Sequence, residues 1–262
     1  RPDLLRIAGA RNTTGESRGR LSDWPGHGTH VAGVIAARAN GWRRGEAASA
    51  TLRAYRVFAE QADHASTFAI STAIKQAAVD GCDLINLSLG GGPADGAIRD
   101  AVDQAWQLGC VCVAAAGNDG RGQVDYPARY PRTLAVSAIG LDGSWPEGAS
   151  QALHRGRARG KAIDGREVFL ATFSNRGAKV ALTAPGVGIV STIFNNRWGV
   201  MDGTSMAAPV ATGVLARRLA ATPAVRDLPR DAARSEAIVA LARAHAEDVG
   251  LPRELQGDGL AR

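Results

Sequence analysis

The chain has 262 residues, 45% hydrophobic and 21% charged, a size and balance that suit one large α/β domain with a substantial core. Its formal charge of +6 rests on scattered arginines, with Lys75, Lys161 and Lys179 the only lysines, so it reads as a composition bias and no nucleic-acid partner is expected. No apolar stretch is long enough to span a bilayer, so no membrane partner is expected, and the opening Arg1-Pro2-Asp3 has neither a Met nor a charged-then-apolar leader, which reads as a fragment or a processed form.

In chain order, Gly26-His27-Gly28-Thr29-His30-Val31-Ala32-Gly33 sets a histidine between glycines ahead of an apolar helical run. Residues 51–58 read as a strand. Residues 67–79 carry Phe68, Ile70, Ile74, Ala77 and Ala78 at helical spacing. Residues 83–89 form a continuous apolar strand of the kind buried on both faces, 97–108 are helical, and 110–116 are a second buried strand. Strands follow at 134–139 and 180–184. Between them, 143–168 breaks the pattern with Arg155, Arg157, Arg159, Lys161 and Arg166 among glycines, and is expected to be a mobile, solvated basic insertion without secondary structure. Residues 207–219 are helical, and 217–262 read as Ala- and Arg-rich helices packed on the outside. Strand–helix alternation predicts a mainly parallel sheet covered by helices, with ligands at the carboxyl ends of its strands, where Ser88, Leu89, Gly90, Gly117 and Asn118 fall.

Three segments carry candidate chemistry. In Gly203-Thr204-Ser205-Met206-Ala207-Ala208-Pro209 a serine stands at a helix start, beside free N–H groups and the positive end of the helix dipole. An oxyanion forming there is stabilised, although Ser and Thr are also ordinary helix caps. His27 supplies a base near neutrality, which a serine nucleophile requires. Asn118, at the end of a buried strand, could donate to an oxyanion or simply close a turn. His30, inside the apolar helical run, fits a structural histidine bonded to a carbonyl. Ser88, Ser174 and Ser191 lack the helix-start setting of Ser205. Cys82, Cys110 and Cys112 sit in apolar, strand-like surroundings without metal-site spacing; buried thiols are favoured, and a disulfide from Cys82 to Cys110 or Cys112 stays open.

Together these segments resemble the subtilisin-like serine peptidases, the subtilase family. Further landmarks are Leu87-Ser88-Leu89-Gly90-Gly91, Tyr126-Pro127-Ala128, Phe173-Ser174-Asn175-Arg176-Gly177, Ala184-Pro185-Gly186 and Gly257-Asp258-Gly259-Leu260. The order of His27 before Ser205 fits this family and not the α/β-hydrolases, in which the serine comes first. The resemblance implies a three-layer α/β/α domain over 1–262 and a serine endopeptidase with catalytic Ser205, His27 and Asn118. It implies an extended polypeptide substrate bound along Ser88, Leu89, Gly90 and Gly117, no cofactor, a monomer, and a secreted or cell-envelope location. Small residues around Gly117 leave room for a sizeable, apolar substrate side chain.

Two departures stand out. The family's catalytic aspartate precedes the histidine, and only Asp3 and Asp23 lie upstream here. Arg1-Pro2-Asp3-Leu4 resembles a segment that follows that aspartate, so the chain is expected to start just downstream of it, without the early strand. A catalytically impaired peptide-binding module is therefore the alternative reading, and a transferase or ligase using the same acyl-enzyme is a third. Residues 38–44, Arg38-Ala39-Asn40-Gly41-Trp42-Arg43-Arg44, stand where many relatives bind calcium, but offer too few oxygens, so no metal is expected.

Overall fold

Strands and helices alternate through the first half of the chain in the computed structural model, which describes residues 5–23, 26–38, 44–195 and 197–262. The elements are β1 (Ile7–Asn12), α1 (His27–Ala36), β2 (Leu52–Arg56), α2 (Thr67–Val79), β3 (Leu84–Leu87), α3 (Gly96–Gln107), β4 (Val111–Ala115) and β5 (Thr133–Leu141). A 3-10 turn at Ser150–His154 precedes β6 (Arg155–Arg159), β7 (Val168–Ala171), β8 (Val180–Pro185) and the strands β9 (Ile189–Ile193) and β10 (Arg197–Met201). The chain ends with α4 (Thr204–Ala220), α5 (Pro223–Arg226), α6 (Ala232–Ala244), β11 (Ala246–Glu247), α7 (Arg253–Gln256) and β12 (Leu260–Ala261). Two helix starts follow from their caps: Ser66 accepts from Ala69 N ahead of α2, and Asp95 accepts from Ala97 N and Ile98 N ahead of α3.

The main sheet runs β11-β12-β8-β5-β4-β3, with β3, β4, β5, β8 and β12 parallel. Strand β4 shows why its sequence is apolar throughout. Val111, Val113 and Ala115 pack into a cluster with Val34 of α1 and with α4 and α6. Cys112 and Ala114 pack into a second cluster with Ile70 and Ile74 of α2 and Ala101 and Val102 of α3. With a helical layer on each face, no position on the strand meets water. The three-layer α/β/α architecture expected from the sequence is the architecture found.

Several expectations are corrected. Strand β3 alternates, with Ile85 and Leu87 buried but Leu84 and Asn86 only half-buried. It is an edge of the main sheet among the described residues, because β1 and β2 form a separate parallel pair. The 143–168 insertion has secondary structure: β6 pairs antiparallel with β7, which extends the sheet beside β5. Three of its cations are engaged: Arg155 with Asp142 at 2.7 Å, Arg159 with Asp142 at 3.6 Å and Lys161 with Asp248 at 2.8 Å. The C-terminal region does not stay outside, since β12 enters the sheet beside β8 and Ile238 of α6 is fully buried. Arg234, buried in α6, donates to Gly109 O and to Asp83 Oδ1, both at 2.6 Å, so its charge is compensated where it lies. All three cysteines are free thiols, and burial pushes the Cys112 thiol up to about 12.

Helix α1 is fixed by β9. Ser191 Oγ donates to His30 O at 2.7 Å and Thr192 Oγ1 to Thr29 O at 2.9 Å. Gly33 permits this approach, because a Cβ there would overlap both hydroxyls. Gly33→Ala is therefore expected to destabilise the fold by about 1–3 kcal/mol, measured as a fall in the denaturation midpoint with an unchanged m-value.

Candidate active site

Helix α4 starts where the segments following β3 and β4 converge. Gly203, with φ 148°, leads into it, and Met206 N and Ala207 N both donate to Gly203 O. Thr204 N and Thr204 Oγ1 each donate to Asn118 Oδ1, at 2.9 and 2.8 Å, and Gly117 N donates to Thr204 Oγ1 at 3.2 Å. Both acceptor sites of the Asn118 carbonyl oxygen are thus used, which sets the amide's orientation. Among the described residues, Asn118 Nδ2 and the Ser205 N–H have no hydrogen-bond acceptor. Two donors are left for a ligand beside the Ser205 hydroxyl.

A proline controls the opposite side of Ser205. Pro209 lies inside α4, four residues on, and has no N–H to give the Ser205 carbonyl. Ser88 Oγ donates to that carbonyl instead, at 2.7 Å, while Ser205 Oγ lies 3.4 Å from Ser88 O. Asn86 Nδ2 in turn donates to Ser88 Oγ at 2.9 Å. The side chain of Ser88 therefore faces the helix that carries Ser205.

His27 opens α1, which packs against α4. Burial lowers its pKa below the usual imidazole value, and the nearby Asp23 carboxylate partly opposes this. Neither ring nitrogen has a hydrogen-bond partner among the described residues, so no such bond joins His27 to Ser205 or to Asp23. Asp23 accepts instead from Thr29 N at 2.5 Å and Thr29 Oγ1 at 2.6 Å, in the first turn of α1. Asp3 and most of 38–44 lie outside the described residues. His30 is fully buried with Nε2 3.0 Å from Ile189 O, as a structural histidine would be. No group of three or more His, Cys, Asp or Glu able to hold a metal occurs among the described residues.

A cavity of about 300 Å³ adjoins Ser205 and is lined by Leu89, Gly90, Gly117 and Asn118, together with Asp119 and Asp125. Ser205, Asn118, Leu89, Gly90 and Gly117 thus meet in one place, while His27 stands outside the lining. The cavity is roomy, and its lining includes two carboxylates.

The Subtilase family model matches residues 8–259. This chain belongs to the subtilase family. It is 35% identical over 225 residues to the "Major intracellular serine protease" of Bacillus subtilis (strain 168), covering 82% of this chain and 63% of that protein. It is 35% identical over 226 residues to "Subtilisin DY" of Bacillus licheniformis, covering 84% of this chain and 72% of that protein. Among solved structures it is similar to "Sphericase", with a TM-score of 0.78, 26% identity, and coverage of 96% of this chain and 83% of the other.

Within this subtilase, sequence reasoning missed three residues of the site. Asn175 is fully buried and accepts from Asp119 N at 3.1 Å and Arg121 N at 2.9 Å, so it shapes the loop that carries Asn118. It was visible only as a landmark, because its partners lie more than fifty positions away. Asp119 and Asp125 flank legible motifs, at Gly117-Asn118 and Tyr126-Pro127, but nothing local turns an aspartate toward a cavity.

If Ser88 substitutes for the missing helical donor, Ser88→Ala should cost about 1–2 kcal/mol of stability. The cost should shrink in a Pro209→Ala background, where an N–H at 209 can serve the Ser205 carbonyl. A double-mutant cycle by urea denaturation measures this, with a non-zero coupling energy expected.

Proposed function

We propose that this chain is a serine endopeptidase acting through an acyl-enzyme on Ser205. The observation that carries the reading is the pair of unengaged donors, the Ser205 N–H and Asn118 Nδ2, beside the Ser205 hydroxyl at the start of α4. Membership of the subtilase family supports it. His27 takes the hydroxyl proton as Ser205 Oγ attacks the scissile carbonyl, and the two donors hold the oxyanion. His27 then protonates the leaving amine, and a water molecule, deprotonated by His27, releases the acyl group. The substrate lies extended along Ser88, Leu89 and Gly90, bound through main-chain hydrogen bonds, with one side chain entering the cavity beside Gly117.

The reading extends to a monomer that acts on polypeptides outside the cytoplasm. That part rests on family likeness alone, and one relative bears the name of an intracellular protease. Size-exclusion chromatography and cell fractionation decide it.

An organofluorophosphonate should label Ser205, and Ser205→Ala should abolish labelling and turnover; equal labelling of the variant removes the assignment. Asn118→Ala should lower kcat by about 10²–10³ with little change in KM, the size known for loss of such a donor in a subtilisin.

The pH profile tests His27. Its neutral form is the base, and burial favours the neutral form, so the acid limb of kcat/KM should have its midpoint below 6.5. Asp23→Asn removes an influence that raises the pKa and should move the midpoint lower still. A loss of about 10⁴ in kcat accompanying that downward move would make Asp23 the carboxylate partner of His27, whereas a midpoint that moves up would remove Asp23 as an influence on the base.

A further inference from the structure

The cavity beside Ser205 carries more negative charge than the peptidase chemistry needs. Asp125, half-buried in its lining, takes part in no ion pair among the described residues; its hydrogen-bonding side-chain neighbour is the neutral amide of Asn175. Burial raises its pKa above the usual carboxylate range, and the charge of Asp119 adds to this. The fully buried Asn175 Nδ2 lies against this carboxylate, meets no other acceptor among the described residues, and partly opposes the rise, but it carries no charge. Both groups converge on one spot, since a Cβ on Gly117 would overlap Asn175 Nδ2 and Asp125 Oδ2 together. Only a glycine at 117 leaves this space open, and its φ of 111° suits glycine as well.

We infer that this cavity selects substrates whose side chain next to the scissile carbonyl is a cation, lysine or arginine, with Asp125 the residue that selects it and Asp119 in support. The inference rests on the peptidase reading above and names its substrate class. An apolar side chain entering the cavity would strip water from a carboxylate that has no ion-pair partner, with nothing in return, which is costly. A lysine or arginine head group supplies the missing partner and gains from a site of lowered dielectric. Its stem packs along Leu89 and the glycines, as long cationic side chains do. An acidic side chain would meet two like charges and be rejected.

Arg121, the cation that acts on Asp125, does not occupy the place. Arg121 Nε stands 3.5 Å from Asp119 Oδ2, with the Arg121 side chain 67% exposed, which makes a loose surface pair. Arg176 donates to Gly120 O at 3.0 Å. Arg121 partly offsets the charge on Asp125, so it weakens the selection without providing it.

The test compares kcat/KM on peptide anilides that differ only in the residue before the scissile bond: Lys, Arg, Phe, Leu or Glu. The parent chain should favour Lys or Arg over Phe by about tenfold or more, with Glu poorest. Asp125→Asn should cut the Lys-to-Phe ratio by about tenfold or more, Asp125→Glu should keep the cation preference, and Arg121→Gln should raise the ratio. A parent that prefers Phe or Leu, or an Asp125→Asn variant whose Lys-to-Phe ratio is unchanged, overturns the inference. A binding arm separates it from the peptidase reading. The fluorescent cation p-aminobenzamidine is titrated into the Ser205→Ala chain, with and without Asp125→Asn. Binding that weakens about tenfold with Asp125→Asn upholds the charged pocket even if no peptide is cleaved and Ser205 is not labelled, results that would overturn the peptidase reading alone. Failure of p-aminobenzamidine to bind more tightly than uncharged aniline overturns the pocket.

Discussion

The start of helix α4 is the constraint on which the site depends. A helix whose first turn lies at the carboxyl ends of two parallel strands has free N–H groups and few ways to satisfy them. Here Thr204 spends its own N–H and hydroxyl on Asn118 Oδ1, which anchors the neighbouring strand end to the helix. Among the described residues the Asn118 amide nitrogen and the Ser205 N–H are both left without an acceptor. Pro209 then removes the donor that the Ser205 carbonyl would have had, and Ser88 replaces it from the end of β3. Helix, β3 and β4 are therefore tied together through the residues on either side of one hydroxyl. Preorganisation of this kind lets donors act on a developing charge without first rearranging.

The histidine is held by a different principle. Nothing hydrogen-bonded positions the His27 ring among the described residues; what is fixed is the helix that carries it. Ser191, Thr192 and the Ile189 carbonyl bind the backbone of α1 and the ring of His30, one helical turn beyond His27. Asp23 binds the first turn through Thr29 and so reaches His27 only through its charge. Burial outweighs that charge and lowers the imidazole's pKa, which favours the neutral form that a general base requires.

One loop serves both chemistry and selection. The turn after β4 presents Asn118 to the proposed oxyanion and Asp119 to the cavity, and Asn175 holds the turn through two main-chain N–H groups. Because Asn175 spends its oxygen on that turn, its Nδ2 is left buried against the place where Asp125 enters. Cavity charge and oxyanion geometry are thus set by the same few buried polar groups, so a substitution at Asn175 would disturb both.

Much of the architecture was legible in the sequence because it follows from local pattern. The spacing of 67–79 is the whole of α2, and the unbroken apolar run at 110–116 belongs to a strand with helices on both faces. The motifs around His27, Asn118 and Ser205 were legible too, since glycines, small residues and a helix start lie in consecutive positions. Elements that depend on distant partners were not. The strand at 155–159 exists only because β7 is beside it, and the chain's last residues enter the sheet only because β8 offers an edge. Nothing near Ser88 indicates that its hydroxyl replaces an N–H lost at Pro209, and nothing near Asp125 indicates that its carboxylate enters a cavity beside Gly117. The sequence by itself determined the layered fold, the family and the candidate nucleophile, because periodicity and contiguous motifs encode them. Only the tertiary structure decided which polar groups are spent on one another and which are left for a substrate, because hydrogen bonds and cavity linings are made between residues far apart in the chain.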